Sequence, residues 1–391
     1  MELHRIQRAL RDQGMDGWLL CDFHNRDHLA YRVLGLPTHG MTTRRWYYYI
    51  PARGRPKKLV HAVERRKLDS LPGSGEVFRS WKELHDGLKR MLGKRRTIAM
   101  QYSPRNSIPY VSLVDAGTVD LVRDLGHTVV SSADLVQMFE SVIGPKGYAL
   151  HKAAGKIVDR IRGEAFEKIR RALASRKRLT EYELQQYILR RFAAEGLITK
   201  DPPIVGTNEH PADPHFECTP SNARPFKRGD TILVDLWARK NTPGGIYYDI
   251  TWVGYAGDRP PGRYRSIFET VRKARDAATA FVEERMSRGV PCHGWEVDDV
   301  CRAVVRKAGY GRFFVHRTGH SIGEEVHGNG VNMDNLETKD DRRIIPGCCF
   351  SVEPGIYLEG EMAVRSEVNM FIRHDGTAEV TGEVQHELVL V

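Results

Sequence analysis

What the sequence lacks narrows its class. No stretch approaches the ~20 consecutive apolar residues of a membrane-spanning helix, so no membrane span is expected. The opening residues MELHRIQRALRDQG alternate apolar and charged positions in helical fashion. They contain no apolar core of a secretory signal. Cysteine is sparse: Cys21, Cys218, Cys292, Cys301, Cys348 and Cys349, with no CxxC pair. Neither a disulfide framework nor a thiolate zinc site is indicated, and buried reduced thiols in a cytoplasmic protein are expected. Low-complexity tracts are absent and apolar segments recur throughout, which argues against disorder.

The chain has 391 residues, of which 41% are hydrophobic and 28% charged. That length suggests two domains, at ~100–200 residues each. The net charge of +10 is unevenly distributed. Residues 1–146 carry 24 Lys and Arg against 15 Asp and Glu; the remainder carries 36 against 35. The excess is densest over residues 53–67 and at Lys94-Arg95-Arg96. A basic region can attract nucleic acid, but no recognition motif accompanies it, so a solvated basic face is expected.

Over residues 1–146 the pattern alternates helix and strand. Helices are expected at 2–14, 81–92 and 109–125. Strands are expected at 18–21, 45–51, 58–63, 97–102 and 128–131. This alternation predicts an α/β domain with a mixed or parallel sheet. Gly144-Pro145-Lys146-Gly147 then punctuates the chain, and a long helix is expected over 148–173. Thr180 and Glu183 form a capping-box pattern opening a second helix to about residue 195. Short strands follow at 231–238, 246–255, 349–353 and 368–373, divided by helices at 262–287 and 295–308. Residues 147–391 thus read as two α-then-β halves, 147–257 and 258–391, without internal sequence repetition.

Several polar residues interrupt apolar strand patterns. Asp235 ends the run Thr231-Ile232-Leu233-Val234, and Asp249 lies within YYDITWV. Glu353 follows Phe350-Ser351-Val352, and Glu367 begins another strand-like run. A buried carboxylate is costly unless paired or bound to a cation. Taken singly, each acid is a common turn, cap or edge-strand residue. His316, His320 and His327 fall within twelve residues among glycines, where backbone can approach a site closely. Four carboxylates with one imidazole suit divalent ions such as Mn²⁺, Co²⁺, Fe²⁺ or Zn²⁺. Brought together without a cation, those carboxylates would repel strongly.

These motifs, in this order, resemble the pita-bread metallopeptidases: methionine aminopeptidase, Xaa-Pro aminopeptidase and prolidase. The resemblance covers about residues 147–391. It rests on Asp213-Pro214-His215, Gly229-Asp230 through Val234-Asp235, and Asp249-Ile250-Thr251. It continues through Gly319-His320-Ser321-Ile322-Gly323 with His327, Val352-Glu353-Pro354-Gly355-Ile356-Tyr357, and Arg365-Ser366-Glu367. Element order and length make residues 1–146 resemble the extra N-terminal domain of the creatinase, prolidase and Xaa-Pro aminopeptidase branch.

The resemblance implies an α/β N-terminal domain (1–146) plus an α+β pita-bread catalytic domain (147–391) with pseudo-twofold α-β halves. It implies two divalent metal ions, manganese foremost. Asp235 would chelate one ion, Asp249 and Glu367 would bridge both, and His320 and Glu353 would complete the other. Glu353 would also move a proton from the attacking water toward the leaving nitrogen. His327 would stabilise the oxyanion and His215 would contact the substrate amide, with His316 and Arg365 on the substrate side. The implied activity is hydrolysis of Xaa-Pro bonds in peptides or dipeptides by a cytoplasmic homodimer with no specific nucleic-acid partner. Three departures from the family pattern stand out: extra residues at Asn241–Gly245, Trp252 in place of arginine, and Gly328-Asn329 in place of an acidic residue. The last two bear on substrate preference. Three alternatives share the fold: a metal-independent creatinase-like amidinohydrolase, a non-catalytic RNA- or protein-binding module, and another amidohydrolase or organophosphate-cleaving activity.

Overall fold

The computed structural model describes residues 2–38 and 40–391. The chain divides into two compact units, Met1–Ser141 and Val142–Val391.

The first unit is built on a six-stranded mixed sheet. Its strands are β1 (Gly17–Asp22), β2 (Trp46–Pro51), β3 (Lys57–His61), β4 (Ser74–Phe78), β5 (Thr97–Met100) and β6 (Thr128–Ser131), in the order β4-β3-β2-β1-β5-β6. Pairings β1–β2 and β2–β3 are antiparallel; β3–β4, β1–β5 and β5–β6 are parallel. Strands β1 and β2 are buried throughout, because helices cover both faces. Helices α1 (Leu3–Asp12), α2 (His28–Leu34) and α5 (Ala133–Val136) pack on one face. Helices α3 (Trp81–Leu92) and α4 (Ala116–Asp124) pack on the other. The helix expected at 109–125 is shorter. Residues Pro109–Val111 form one 3₁₀ turn, and the α-helix starts only after Asp115, whose carboxylate caps the Thr118 amide at 2.9 Å.

The second unit opens with α6 (Pro145–Ala174), which begins three residues earlier than the sequence pattern suggested. Pro145 occupies the first helical turn, where its missing N–H leaves no bond unmade. Helix α7 (Glu181–Ala194) starts at the expected capping box: Thr180 Oγ1 accepts from the Glu183 amide, and Glu183 accepts from the Thr180 amide. Strands β7 (Leu197–Ile198), β8 (Ile204–Thr207), β9 (Thr231–Lys240) and β10 (Tyr248–Tyr255) follow, with β9 pairing antiparallel to β7, β8 and β10. The second half repeats the order: α8 (Gly262–Ser287), α9 (Gly294–Lys307), then β11 (Cys349–Val352), β12 (Gly355–Leu358), β13 (Met362–Arg365) and β14 (Val368–Ile372). Strands β15 (Ala378–Val380) and β16 (Val389–Leu390) flank β14 and β10. Among the described residues no helix is long and apolar enough to cross a membrane.

Strand alternation determines what faces the centre of this unit. On β9, Ile232, Val234, Leu236 and Ala238 pack with α6 and α7, whereas Leu233 belongs to the core of the second half. Asp235 and Trp237 share the face of Leu233. On β10, Tyr248 and Ile250 turn toward α6, where Gly155 lies so close to the Tyr248 ring that a Cβ would meet it at 2.8 Å. Asp249 and Thr251 therefore turn the other way. In the second half, Phe350, Val352, Val368 and Met370 fill the core under α8. Ser351, Glu353, Glu367 and Asn369 occupy the opposite face.

Candidate metal centre

Antiparallel pairing sets Thr251 opposite Asp235 and Trp237 opposite Asp249, so all four side chains share one face. Strand β14 is joined to this face by side chains. The Asp249 amide donates to Asn369 Oδ1 at 3.0 Å, Asn369 Nδ2 donates to the Asp249 carbonyl, and Thr251 Oγ1 donates to Glu367 Oε2 at 2.8 Å.

His320 arrives on a strand-like segment antiparallel to β11. The Ser351 amide donates to the His320 carbonyl at 2.9 Å, and the Glu353 amide to the Thr318 carbonyl at 2.7 Å. Gly319 permits the approach, since a Cβ there would lie 1.9 Å from the Ser351 carbonyl oxygen. Ser351 Oγ accepts the His320 amide and donates to Glu353 Oε1, both at 2.9 Å.

Asp249, His320 and Glu367 each offer a ligand atom, and these atoms all lie within 4.8 Å of one another. His320 Nε2 is 3.6 Å from Asp249 Oδ2 and 3.3 Å from Glu353 Oε1. His320 Nδ1 donates to the Ser321 carbonyl at 3.1 Å, leaving the lone pair on Nε2, toward the carboxylates. Asp235 Oδ1, Asp249 Oδ1 and Glu367 Oε1 are buried without a hydrogen-bond partner. Acceptors of this kind on Asp249 and Glu367 around an imidazole lone pair, with Asp235 in the same cavity, fit divalent cations.

Electrostatics point the same way. Burial, then the charges of Asp235 and Glu353, raise the Asp249 carboxyl well above the ordinary range. Burial and then Asp249 do the same to Glu367. Burial lifts Asp235 to about 6 against the lowering influence of Arg365. Burial holds His320 down to about 3. His327 is also held at about 3, first by His320, whose ring centroid lies 4.3 Å away.

Every site residue that the resemblance implies except His316 lines one cavity of about 460 Å³: His215, Asp235, Asp249, His320, His327, Glu353, Arg365 and Glu367. His316 stands behind Tyr357, with Nε2 2.7 Å from its hydroxyl. Tyr357 in turn accepts from Arg365 Nη1 at 3.2 Å. Arg365 also donates to Thr251 Oγ1 at 2.9 Å and pairs with Asp235. The sequence pattern alone does not mark Thr251, Ser351 and Asn369 as site residues. Each lies two residues from a site acid along an apolar strand, which is the signal that could have found them. Trp237 has the same spacing from Asp235 and lines the cavity. Of the departures, Trp252 points away from the site and lies under the Arg162 guanidinium, 3.5 Å from its ring centroid.

A model of metallopeptidase family M24 matches residues 149–374. Among curated relatives, the probable dipeptidase PepE of Mycobacterium tuberculosis is 29% identical over 271 residues, 69% of this chain and 66% of that protein. The Xaa-Pro dipeptidase of Lactobacillus helveticus is 31% identical over 219 residues, 54% of this chain and 52% of that protein. The chain thus spans from about half to just under two thirds of these relatives. The crystal structure of dipeptidase PepE from Mycobacterium ulcerans superposes with a TM-score of 0.72 at 23% identity, covering 100% of this chain and 96% of that one.

Proposed function

We propose, since this chain belongs to metallopeptidase family M24, that it is a dinuclear metal-dependent peptidase cleaving Xaa-Pro bonds in dipeptides or at peptide N-termini. The observation that carries the reading is the clustering of Asp249 and Glu367, each with a partnerless buried oxygen, around His320, with a third partnerless oxygen on Asp235 in the same cavity. Asp235 would hold one ion, Asp249 and Glu367 would bridge two, and His320 with Glu353 would complete the second. Manganese is the favoured metal. When bound, such ions polarise a carbonyl oxygen and bring the pKa of water near 7.

The chain's own residues supply the rest. Glu353, oriented by Ser351 at 2.9 Å, accepts the water proton and delivers it to the leaving nitrogen. His327, kept neutral, donates to the developing oxyanion from the cavity wall. His215 meets the substrate amide. Arg365 is locked against Asp235, Thr251 and Tyr357 and presents a fixed positive charge on the substrate side, with His316 behind it. Residues 1–146 are assigned as the N-terminal domain of the prolidase branch, and the assembly as a homodimer in the cytoplasm. All six cysteines are free and buried, as suits a reducing compartment.

Elemental analysis of the purified protein, coupled to a screen of Xaa-Pro dipeptides and longer Xaa-Pro peptides, tests the reading. Two ions per chain and proline-dependent cleavage are expected. Full turnover in metal-stripped protein would defeat it.

A further inference from the structure

One buried carboxylate outside the cavity is connected to its wall. Glu181, the first residue of α7, has a side chain with no exposure. Glu181 Oε1 accepts from the Thr207 amide at 2.7 Å and the Thr207 hydroxyl at 2.8 Å. Oε2 accepts from the Arg224 amide at 2.7 Å and lies 2.9 Å from His210 Nδ1. These partners bracket the segment 207–224. One carboxylate therefore ties both ends of that segment, and His210 within it, to the start of α7.

That segment carries part of the cavity wall. The His210 ring stacks on Phe216, with centroids 4.3 Å apart and planes 25° apart. Phe216 and its neighbour His215 both line the cavity, with Pro202, Pro203 and Ile204 nearby. Apart from one 3₁₀ turn at His210–Ala212 the segment is irregular, and it enters that turn through Asn208 at φ 53°, so repeating backbone hydrogen bonds do not fix most of it. Its position relies on side-chain anchors. The order of contacts is Glu181 to His210 to Phe216 to the cavity.

We propose that Glu181 and His210 are positioning residues, acting through Phe216, that set the apolar substrate wall. The proposal rests on the peptidase reading given above. A wall that contacts substrate equally in the bound and transition states governs KM and leaves kcat nearly unchanged.

The test uses the metal-loaded full chain and the best Xaa-Pro peptide. His210→Ala and Phe216→Ala should each raise KM about tenfold, with kcat within about twofold and metal content unchanged. The double variant should be no worse than either single one, because the two act in series. His210→Phe keeps the stacked ring and should recover part of the loss. Glu181→Gln should raise KM in the same sense; should it fail to fold, the His210 and Phe216 variants still decide. Unchanged KM, a loss confined to kcat, or losses that multiply in the double variant would overturn the positioning role alone. A wild-type protein that turns over no Xaa-Pro peptide would instead defeat the peptidase reading, and this role with it.

Discussion

His320 and His327 lie with ring centroids 4.3 Å apart, yet their surroundings differ. His320 is buried, with Nδ1 committed to a backbone carbonyl and Nε2 turned to two carboxylates. Removing it deletes a donor that alanine cannot replace. His320→Ala should therefore lose metal and activity together. His327 is exposed and lines the cavity. His327→Ala should keep its metal and lose ~10²–10³ in kcat, the usual cost of one preorganised oxyanion donor. Elemental analysis beside kcat separates the two, and the reverse pattern would exchange the assignments. Asp249→Ala should cut metal occupancy and rate together, because a carboxylate facing both Glu367 and His320 is the natural bridge. Full metal content in that variant would remove the bridging role. The acids and imidazoles were legible in the sequence because each breaks an apolar run. Ser351, Thr251 and Asn369 were less visible, since small polar residues are common on strands and only the three-dimensional face shows what they touch.

At the scale of elements, close approach rather than propensity decides the geometry. Gly319 has no left-handed backbone, but its Cβ would fall 1.9 Å from the Ser351 carbonyl oxygen. Gly319→Ala should push the His320 segment off β11, costing about 1–3 kcal/mol and lowering metal occupancy. A thermal melt and metal assay with wild-type values would show that the segment yields without loss. His151 on α6 offers a pH test. It is fully buried, with Nδ1 2.6 Å from the Tyr247 carbonyl and Nε2 2.7 Å from Thr381 Oγ1. Burial lowers its pKa to about 4. The unfolded chain thus binds the proton more readily, and stability is full above the unfolded value near ~6.5 and falls as pH drops toward 4. About 3 kcal/mol is at stake over that window. His151→Gln, which does not titrate, should flatten the decline in denaturant midpoint between pH 6.5 and 4. An unchanged slope would move the acid sensitivity elsewhere. Long amphipathic helices such as α8 and α3 were readable to the residue, since their apolar spacing and terminal residues agree. Strand β4 and the 3₁₀ turn before α4 were not, because β4 is largely exposed and its pattern SGEVF carries little hydrophobic contrast.

For the molecule as a whole, charge is the property least explained by the site. The net of +10 belongs almost entirely to residues 1–146. Several of these cations are committed locally: Lys57 donates to the Met91 carbonyl, Lys67 to Thr42, and Arg90 pairs with Glu76. Others, including Arg53, Arg55, Arg65, Lys94 and Arg95, lie exposed on turns and helix ends. Turns present charge without the continuous helix or ribbon that reads base edges, and among the described residues the large exposed aromatics of this unit, Phe23 and Trp81, lie outside these turns. Such a surface attracts any polyanion through counterion release alone. The expectation is weak binding to DNA and RNA of any sequence, with affinity falling steeply as salt rises. A contact neutralising about four phosphates should lose on the order of 100-fold between ~50 and ~200 mM salt. Fluorescence anisotropy with two unrelated duplexes and one single strand, across that salt range, measures both the slope and the preference. Matching affinities that vanish together would fit a solvated basic face. A complex with one sequence that persists at the higher salt would mean that the N-terminal surface reads nucleic acid, and would give the basic excess a function separate from the carboxylate–histidine cavity.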